Sequence, residues 1–273
     1  ATCNGCAGYP KYDQVTGLLS FNRFREEVDS VIASGKGKSC LLVYTDLENF
    51  KYFNRKYGYA AGDQLLREFT GYIIDTLKKR NTAHFTRVVA DQFILFFEEK
   101  WNNGSIEAIK RINNGFIERQ QRKYPEAKLR LRTGVYKVEK DCDGASFAID
   151  AANYARRQIQ DNSPETVCVY DKTMADLQNM ENEIAIGLDK AIKNKEFKIY
   201  LQPRFSLTTG KIVGAESLVR WQREDGTILP PDSFIPVYEK NGRIIDLDFY
   251  MFEETVKLLA NWKEQGIPQR LIS

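Results

Sequence analysis

Glu216 and Arg220 stand in the run Val213-Gly214-Ala215-Glu216-Ser217-Leu218-Val219-Arg220-Trp221, which is otherwise mostly apolar. Read as a β-strand, the run puts Glu216, Leu218 and Arg220 on one face. Val213, Ala215, Ser217 and Val219 fall on the other, because side chains alternate. An acid and a guanidinium on a buried strand carry a heavy desolvation cost unless something meets them. A divalent metal on the carboxylate and a phosphate ester on the guanidinium would do so. The plain alternative is a structural Glu–Arg pair in a barrel core.

Gln202-Pro203, Gly214-Ala215-Glu216-Ser217-Leu218, Arg220-Trp221 and Ser233-Phe234-Ile235-Pro236 with Glu239 follow in an order that resembles the start of an EAL domain. That family hydrolyses cyclic di-GMP with divalent metals, Mg2+ or Mn2+, in a barrel related to the TIM fold. The resemblance runs from about Glu183 to Ser273, with Glu-Ser-Leu standing where the family has Glu-Ala-Leu. It implies that Glu216 is a metal ligand and the catalytic residue. It implies also that Arg220 contacts substrate phosphate, and that Gln202 and Leu218 bind substrate. Such a barrel needs about 240 residues. The expectation is therefore that these 273 residues alone do not hydrolyse cyclic di-GMP. A longer form carrying the remaining ligands would.

Upstream, Asp13-Gln14-Val15-Thr16-Gly17-Leu18, Asp46-Leu47-Glu48-Asn49-Phe50-Lys51, Asn54, Tyr57-Gly58 and Gly62-Asp63 with Leu65-Leu66 resemble a GGDEF domain, from about Tyr12 to Tyr170. That family joins two GTP molecules into cyclic di-GMP. The implied fold is a central antiparallel sheet with helices, akin to nucleotide cyclases and polymerase palms. The resemblance makes Asp46 and Asp91 metal ligands and Lys51, Asn54 and Asp63 nucleotide-binding residues. The signature Gly-Gly-Asp/Glu-Glu-Phe, however, reads Val89-Ala90-Asp91-Gln92-Phe93. Glycine there allows positive φ and close approach of backbone to nucleotide. Val89 and Ala90 remove that freedom, and Gln92 removes a charge that metal and triphosphate need. Tyr59 stands where the family has histidine. Arg80-Asn81-Thr82-Ala83 lacks the acid of the family's product-inhibition motif. Cyclic di-GMP synthesis is not expected. Two readings stay open for Asn54 and Asp63: they bind GTP, or they are relics, with Asp63 serving only as a helix cap.

The composition suits this division. The chain has 273 residues, 42% hydrophobic and 12% aromatic, with a formal net charge of +3. Mixed signs without Lys/Arg clusters give no case for nucleic-acid binding. No window is apolar enough for a membrane span. Five cysteines, an odd number, point to a reduced, cytoplasmic setting. Cys3-Asn4-Gly5-Cys6 has no second pair to complete a zinc site. The single histidine, His84, excludes clustered-His metal sites and lies in an alternating strand pattern, as a structural residue would.

The elements that must position these residues can be read from periodicity. Strands are expected at 40–46, 85–89, 93–97, 129–138 and 167–170, with a hairpin turn at Ala90-Asp91-Gln92. A helix over 63–79 carries Leu65, Leu66, Phe69, Ile73 and Leu77 on one stripe. Ser105 opens a helix toward Arg122, and Ser146 can cap one through Ile159. A polar, partly helical linker covers 171–181. Then come a helix at 184–193, strands at 197–202 and 212–221, a short helix capped by Ser233, a long helix at 245–265, and a strand starting at Leu271. The expected fold class is mixed α/β (α+β). Residues 1–11 read as a tail, 12–178 as an inactive GGDEF domain, and 183–273 as the N-terminal part of an EAL domain. The whole reads as a bacterial cyclic di-GMP phosphodiesterase module whose first domain regulates, by sensing GTP or by forming a homodimer or docking surface. The alternative is a non-catalytic nucleotide receptor or protein-interaction scaffold.

Overall fold

The computed structural model describes residues 10–78, 83–99, 101–102, 104–161, 163–268 and 270–273. The Cys3–Cys6 pair, most of the expected tail and Arg80 to Thr82 lie outside these. The chain is mixed α/β and divides into two units, 1–175 and 176–273. In chain order the elements of the first are α1 (Phe21–Ala33), β1 (Cys40–Glu48), α2 (Phe50–Tyr57), α3 (Tyr59–Leu77), β2 (Ala83–Val89), β3 (Gln92–Glu98), α4 (Ser105–Lys123), β4 (Arg130–Lys137), α5 (Ala145–Arg157) and β5 (Val167–Val169). Next comes α6 (Lys172–Lys193), a continuous helix in which the division falls. The stretch expected as a linker is thus largely its first half: polar composition hid a regular helix.

The sheet of the first unit has the order β2-β3-β1-β4-β5, antiparallel except for the last pair. β1 is central and buried on both faces, which is why its sequence runs apolar instead of alternating. Leu41, Val43 and Leu47 face a core shared with Phe53, Leu65, Phe69 and Phe116. Leu42 and Tyr44 face the other core, shared with Phe24, Val28 and the alanines of α5. Helices therefore cover both sides of the sheet. Ala145, Ala148 and Ala152 let α5 lie flat on it. Gly134 of β4 brings it closer still: a Cβ there would stand 1.9 Å from the Ala152 carbonyl oxygen and 2.5 Å from the Arg156 amide nitrogen.

In the first unit two expected helix starts are corrected. α3 begins at Tyr59, directly after Gly58, so Asp63 lies inside the helix and is not its cap. Gly62 lies inside the helix, buried where the helix meets the Asn54 side chain. The cap of α5 is Gly144, not Ser146.

The second unit contains β6 (Phe197–Phe205), β7 (Ile212–Gln222), β8 (Ile228–Leu229), α7 (Pro231–Asn241), α8 (Ile244–Glu264) and β9 (Leu271–Ile272). β7 pairs antiparallel with β6 and β8 and parallel with β9, so the sheet is open, not closed into a barrel. α7 starts at Pro231 in the first helical position, where its missing N–H costs nothing. Ser233 is therefore in the first turn and does not cap it. Ile184, Leu188 and Ala191 of α6 pack with Phe197, Trp221, Phe234, Tyr238 and Leu247. The Trp221 indole N–H donates to Glu196 Oε2 at 2.8 Å, and the Tyr238 hydroxyl to the Ile184 carbonyl at 3.1 Å. Both aromatic residues are buried with their polar atoms satisfied.

Candidate functional site

The β6–β7 ladder fixes the first group of predicted residues. Its register opposes Gln202 to Glu216, Tyr200 to Leu218 and Lys198 to Arg220. Opposed residues share a face, so Gln202, Glu216, Leu218 and Arg220 lie together. Val219 and Trp221 point the other way, into the core. The expectation of a buried strand needs correcting. Gln202 and Glu216 are exposed and Arg220 is half-buried, so water meets the acid directly. Nor do the two charges form a structural pair. Arg220 lies 5.7 Å from the Tyr200 ring centre, and its Nη1 donates to the Val219 carbonyl at 2.8 Å. Among the described residues no three His, Cys, Asp or Glu side chains gather as a metal site. Glu216 fits a hard divalent cation as a single carboxylate ligand, with the Gln202 amide beside it.

The second group surrounds the β2–β3 hairpin. Asp46 sits near the end of β1, and Asp91 in the hairpin turn. The Leu47 N–H donates to the Asp91 carbonyl at 3.2 Å, tying the two segments together. Burial, and then the charge of Asp46, push the Asp91 carboxyl up to about 6. Arg156, reaching in from α5, donates from Nη1 to Asp46 Oδ2 at 2.7 Å. The Tyr44 hydroxyl donates to Gln92 Oε1 at 2.7 Å. Ala90 has φ +48°, a left-handed conformation in which its Cβ is crowded. Arg87 holds this turn from below. Its Nε donates to the Ala90 carbonyl at 2.6 Å, and its Nη1 reaches Asp13 at 3.4 Å.

A divalent metal does not fit this pocket. One oxygen of Asp46 is bonded to a guanidinium, and the neutral Gln92 amide is committed to Tyr44. Carboxylates are the donors that hard cations select.

The three remaining predicted residues lie on α2 and α3. Lys51 is exposed in the first turn of α2. The Asn54 Oδ1 is buried without a hydrogen-bond partner and faces Gly62, where an added Cβ would come within 1.8 Å of it. Asp63, half-buried, follows Gly62 on α3. His84 lies in β2 with its ring 6.3 Å from that of Phe96, and burial lowers its pKa.

Sequence reasoning missed Arg156. Its contact with Asp46 spans 110 residues and depends on how closely α5 approaches β4. No local motif carries that signal.

Comparison with known proteins agrees with both halves of this architecture. Residues 10–164 match the family model "Diguanylate cyclase, GGDEF domain", and residues 187–273 match "EAL domain". The cyclic di-GMP phosphodiesterase PdeR of Escherichia coli K12 is 26% identical over 270 residues, 95% of this chain and 39% of PdeR. The biofilm architecture maintenance protein MbaA of Vibrio cholerae is 26% identical over 264 residues, 92% of this chain and 33% of MbaA. The chain thus spans well under half the length of these curated relatives. Among solved structures, the S helix-GGDEF-EAL segment of Vibrio cholerae LapD, bound to c-di-GMP, matches with TM-score 0.52 and 18% identity. The match covers 96% of this chain and 60% of that one. The open antiparallel sheet with helices on both faces, followed by a second open sheet, is therefore a known architecture, and the chain belongs to the GGDEF domain family of cyclic di-GMP signalling proteins, with a partial EAL domain following.

Proposed function

We propose that this chain is the regulatory and opening catalytic part of an EAL-type cyclic di-GMP phosphodiesterase, and that its GGDEF unit does not synthesise cyclic di-GMP. The observation that carries the reading is the shared open face of Gln202, Glu216, Leu218 and Arg220. A phosphodiester needs an anion-binding guanidinium beside a carboxylate that can hold a cation. Arg220 and Glu216 offer the two groups four residues apart along β7 on one face. Bound Mg2+ or Mn2+ would supply Lewis acidity for attack by water on phosphorus. Glu216 would hold the cation as one of its ligands. Arg220 would neutralise a phosphate oxygen, and its stacking on Tyr200 limits where the guanidinium can point. Gln202 and Leu218 would orient the substrate along the strand. Resemblance to PdeR supports hydrolysis as the direction of the chemistry.

In the first unit, Gln92 and Ala90 stand at positions where the chemistry of synthesis asks for a carboxylate and a glycine. GTP would then act as a regulatory ligand. The buried, unpartnered Asn54 Oδ1 is an acceptor awaiting a donor such as the guanine edge, with Asp63 and Lys51 on the same two helices.

Three assays test the reading. With Mg2+ or Mn2+, the protein at its full natural length should linearise cyclic di-GMP. Glu216→Gln should lower the rate by about a hundredfold or more, the usual size of a lost ligand effect. No cyclic di-GMP should form from GTP. Binding of cyclic di-GMP without turnover would instead favour a receptor. In calorimetry GTP should bind and ATP should not. Equal binding of both would make Asn54 and Asp63 relics.

A further inference from the structure

Arg156 is only 8% exposed, and each nitrogen of its guanidinium donates a hydrogen bond. Nη1 donates to Asp46 Oδ2 at 2.7 Å. Nε and Nη2 both donate to Asn153 Oδ1, at 3.0 and 2.8 Å. One face lies 5.2 Å from the centre of the Tyr44 ring. The hydroxyl of that same tyrosine holds the Gln92 amide at 2.7 Å. Asn153 and Arg156 are i and i+3 on α5, so the helix itself aims the side chain. The glycine at position 134 lets that helix sit deep enough for the side chain to reach β1: even the Arg156 Cβ would be only 2.9 Å from a Cβ at Gly134.

We propose that the Arg156 guanidinium takes the place of a divalent cation in the Asp46 pocket, so that the first unit keeps this site ordered without metal. The proposal rests on the reading of that unit as unable to synthesise cyclic di-GMP and adds a physical reason for it. Asp46 and Asp91 are neighbouring carboxylates that a dication would balance together. The arginine supplies one positive charge and is bonded to one of the two. It is bonded to Asp46 Oδ2, so a metal that needs that oxygen must displace a buried, multiply bonded side chain. A guanidinium donates hydrogen bonds but offers no open coordination position. It can steady an anion. It cannot bind a hydroxyl or a phosphoryl oxygen as a Lewis acid does. Gln92, held by the hydroxyl of the tyrosine whose ring faces Arg156, fits a pocket already supplied with its cation.

The test is Mn2+ binding followed by electron paramagnetic resonance on the wild-type chain, Asp46→Asn, Arg156→Met and the double variant. Methionine keeps most of the arginine's length and fills its space without charge. The wild type should show no Mn2+ binding that is lost in Asp46→Asn. Arg156→Met should gain one Mn2+ site, absent from the double variant. Its melting temperature should rise by about 4 °C at saturating Mn2+, while that of the wild type does not move. Asp46-dependent Mn2+ binding in the wild type overturns the proposal. So does a folded Arg156→Met that gains no site. If Arg156→Met does not fold, the wild-type titration alone decides. Synthesis of cyclic di-GMP by a wild type without such a site would overturn the silent-unit reading instead, leaving Arg156 as the cation of the pocket.

Discussion

At the scale of single residues, Ala90 and Asp91 are the two under tension in the hairpin turn. Ala90 holds φ +48°, which crowds its Cβ against the backbone. Ala90→Gly should relieve that crowding, less the entropy glycine adds to the unfolded chain, for a net gain of about 0.5–1 kcal/mol. Thermal unfolding measures it, and a loss of stability would mean that the turn carries no strain. Asp91 is raised to about 6, first by burial and then by Asp46. An acid whose folded pKa lies above its ordinary value binds its proton more tightly when folded. Its contribution to stability is fully present below about pH 4 and is lost as pH rises through 6. Asp91→Asn should flatten that slope. At pH 7.5 it should stabilise the first unit by about 1 kcal/mol, allowing for the group's partial exposure to water. Denaturant melts at pH 4, 6 and 7.5 on both proteins check the sign. A variant less stable than wild type at pH 7.5 would show that the ionised Asp91 is well paired.

At the scale of elements, the join of α2 and α3 offers a separation of binding from folding. Gly62 leaves room for the Asn54 side chain, and a Cβ would come within 1.8 Å of its oxygen. Gly62→Ala gains about 1 kcal/mol of helix propensity. It loses a comparable amount as the Asn54 amide is forced from its rotamer. Stability should change by less than about 1 kcal/mol while GTP binding falls at least tenfold. Calorimetry and melting on the same sample separate the two effects, and unchanged GTP affinity would remove Asn54 from the base site. Much of the element plan was legible in the sequence. The central strands announced themselves as apolar runs, the hairpin by its polar turn, and β7 by its alternation. Helix starts were harder to read. The start of α3 at Tyr59 was hidden because the positive φ of Gly58 and the close approach of Gly62 to Asn54 are tertiary facts. The serines at 146 and 233 looked like caps, while Gly144 and Pro230 hold those positions with no side-chain hydrogen bond. The grouping of Glu216, Leu218 and Arg220 followed from strand parity alone. Its pairing with Gln202 needed the register of β6, and Arg156 needed the packing of α5.

At the scale of the whole molecule, the two units have separate cores. The first has one core on each face of its sheet, and the second has a single cluster around Phe197, Trp221 and Phe234. Cores that do not share residues can melt separately. Calorimetry should resolve two transitions, and Phe234→Ala should lower only one of them, by about 3–5 kcal/mol. A single transition shifted as a whole would show that the units unfold together. No described helix is long and apolar enough to cross a membrane. Trp221 offers one more use of the second core. Its indole is enclosed on the reverse side of the strand that carries Glu216 and Arg220, bonded to the Glu196 carboxylate, with the Arg223 guanidinium 5.2 Å from its ring. Its emission should be blue-shifted by these surroundings and, with Trp101 and Trp262 replaced by phenylalanine, would serve as a built-in optical gauge of β7. A ligand arriving on one side of that strand should change the colour or brightness of the light from the other, with no dye attached.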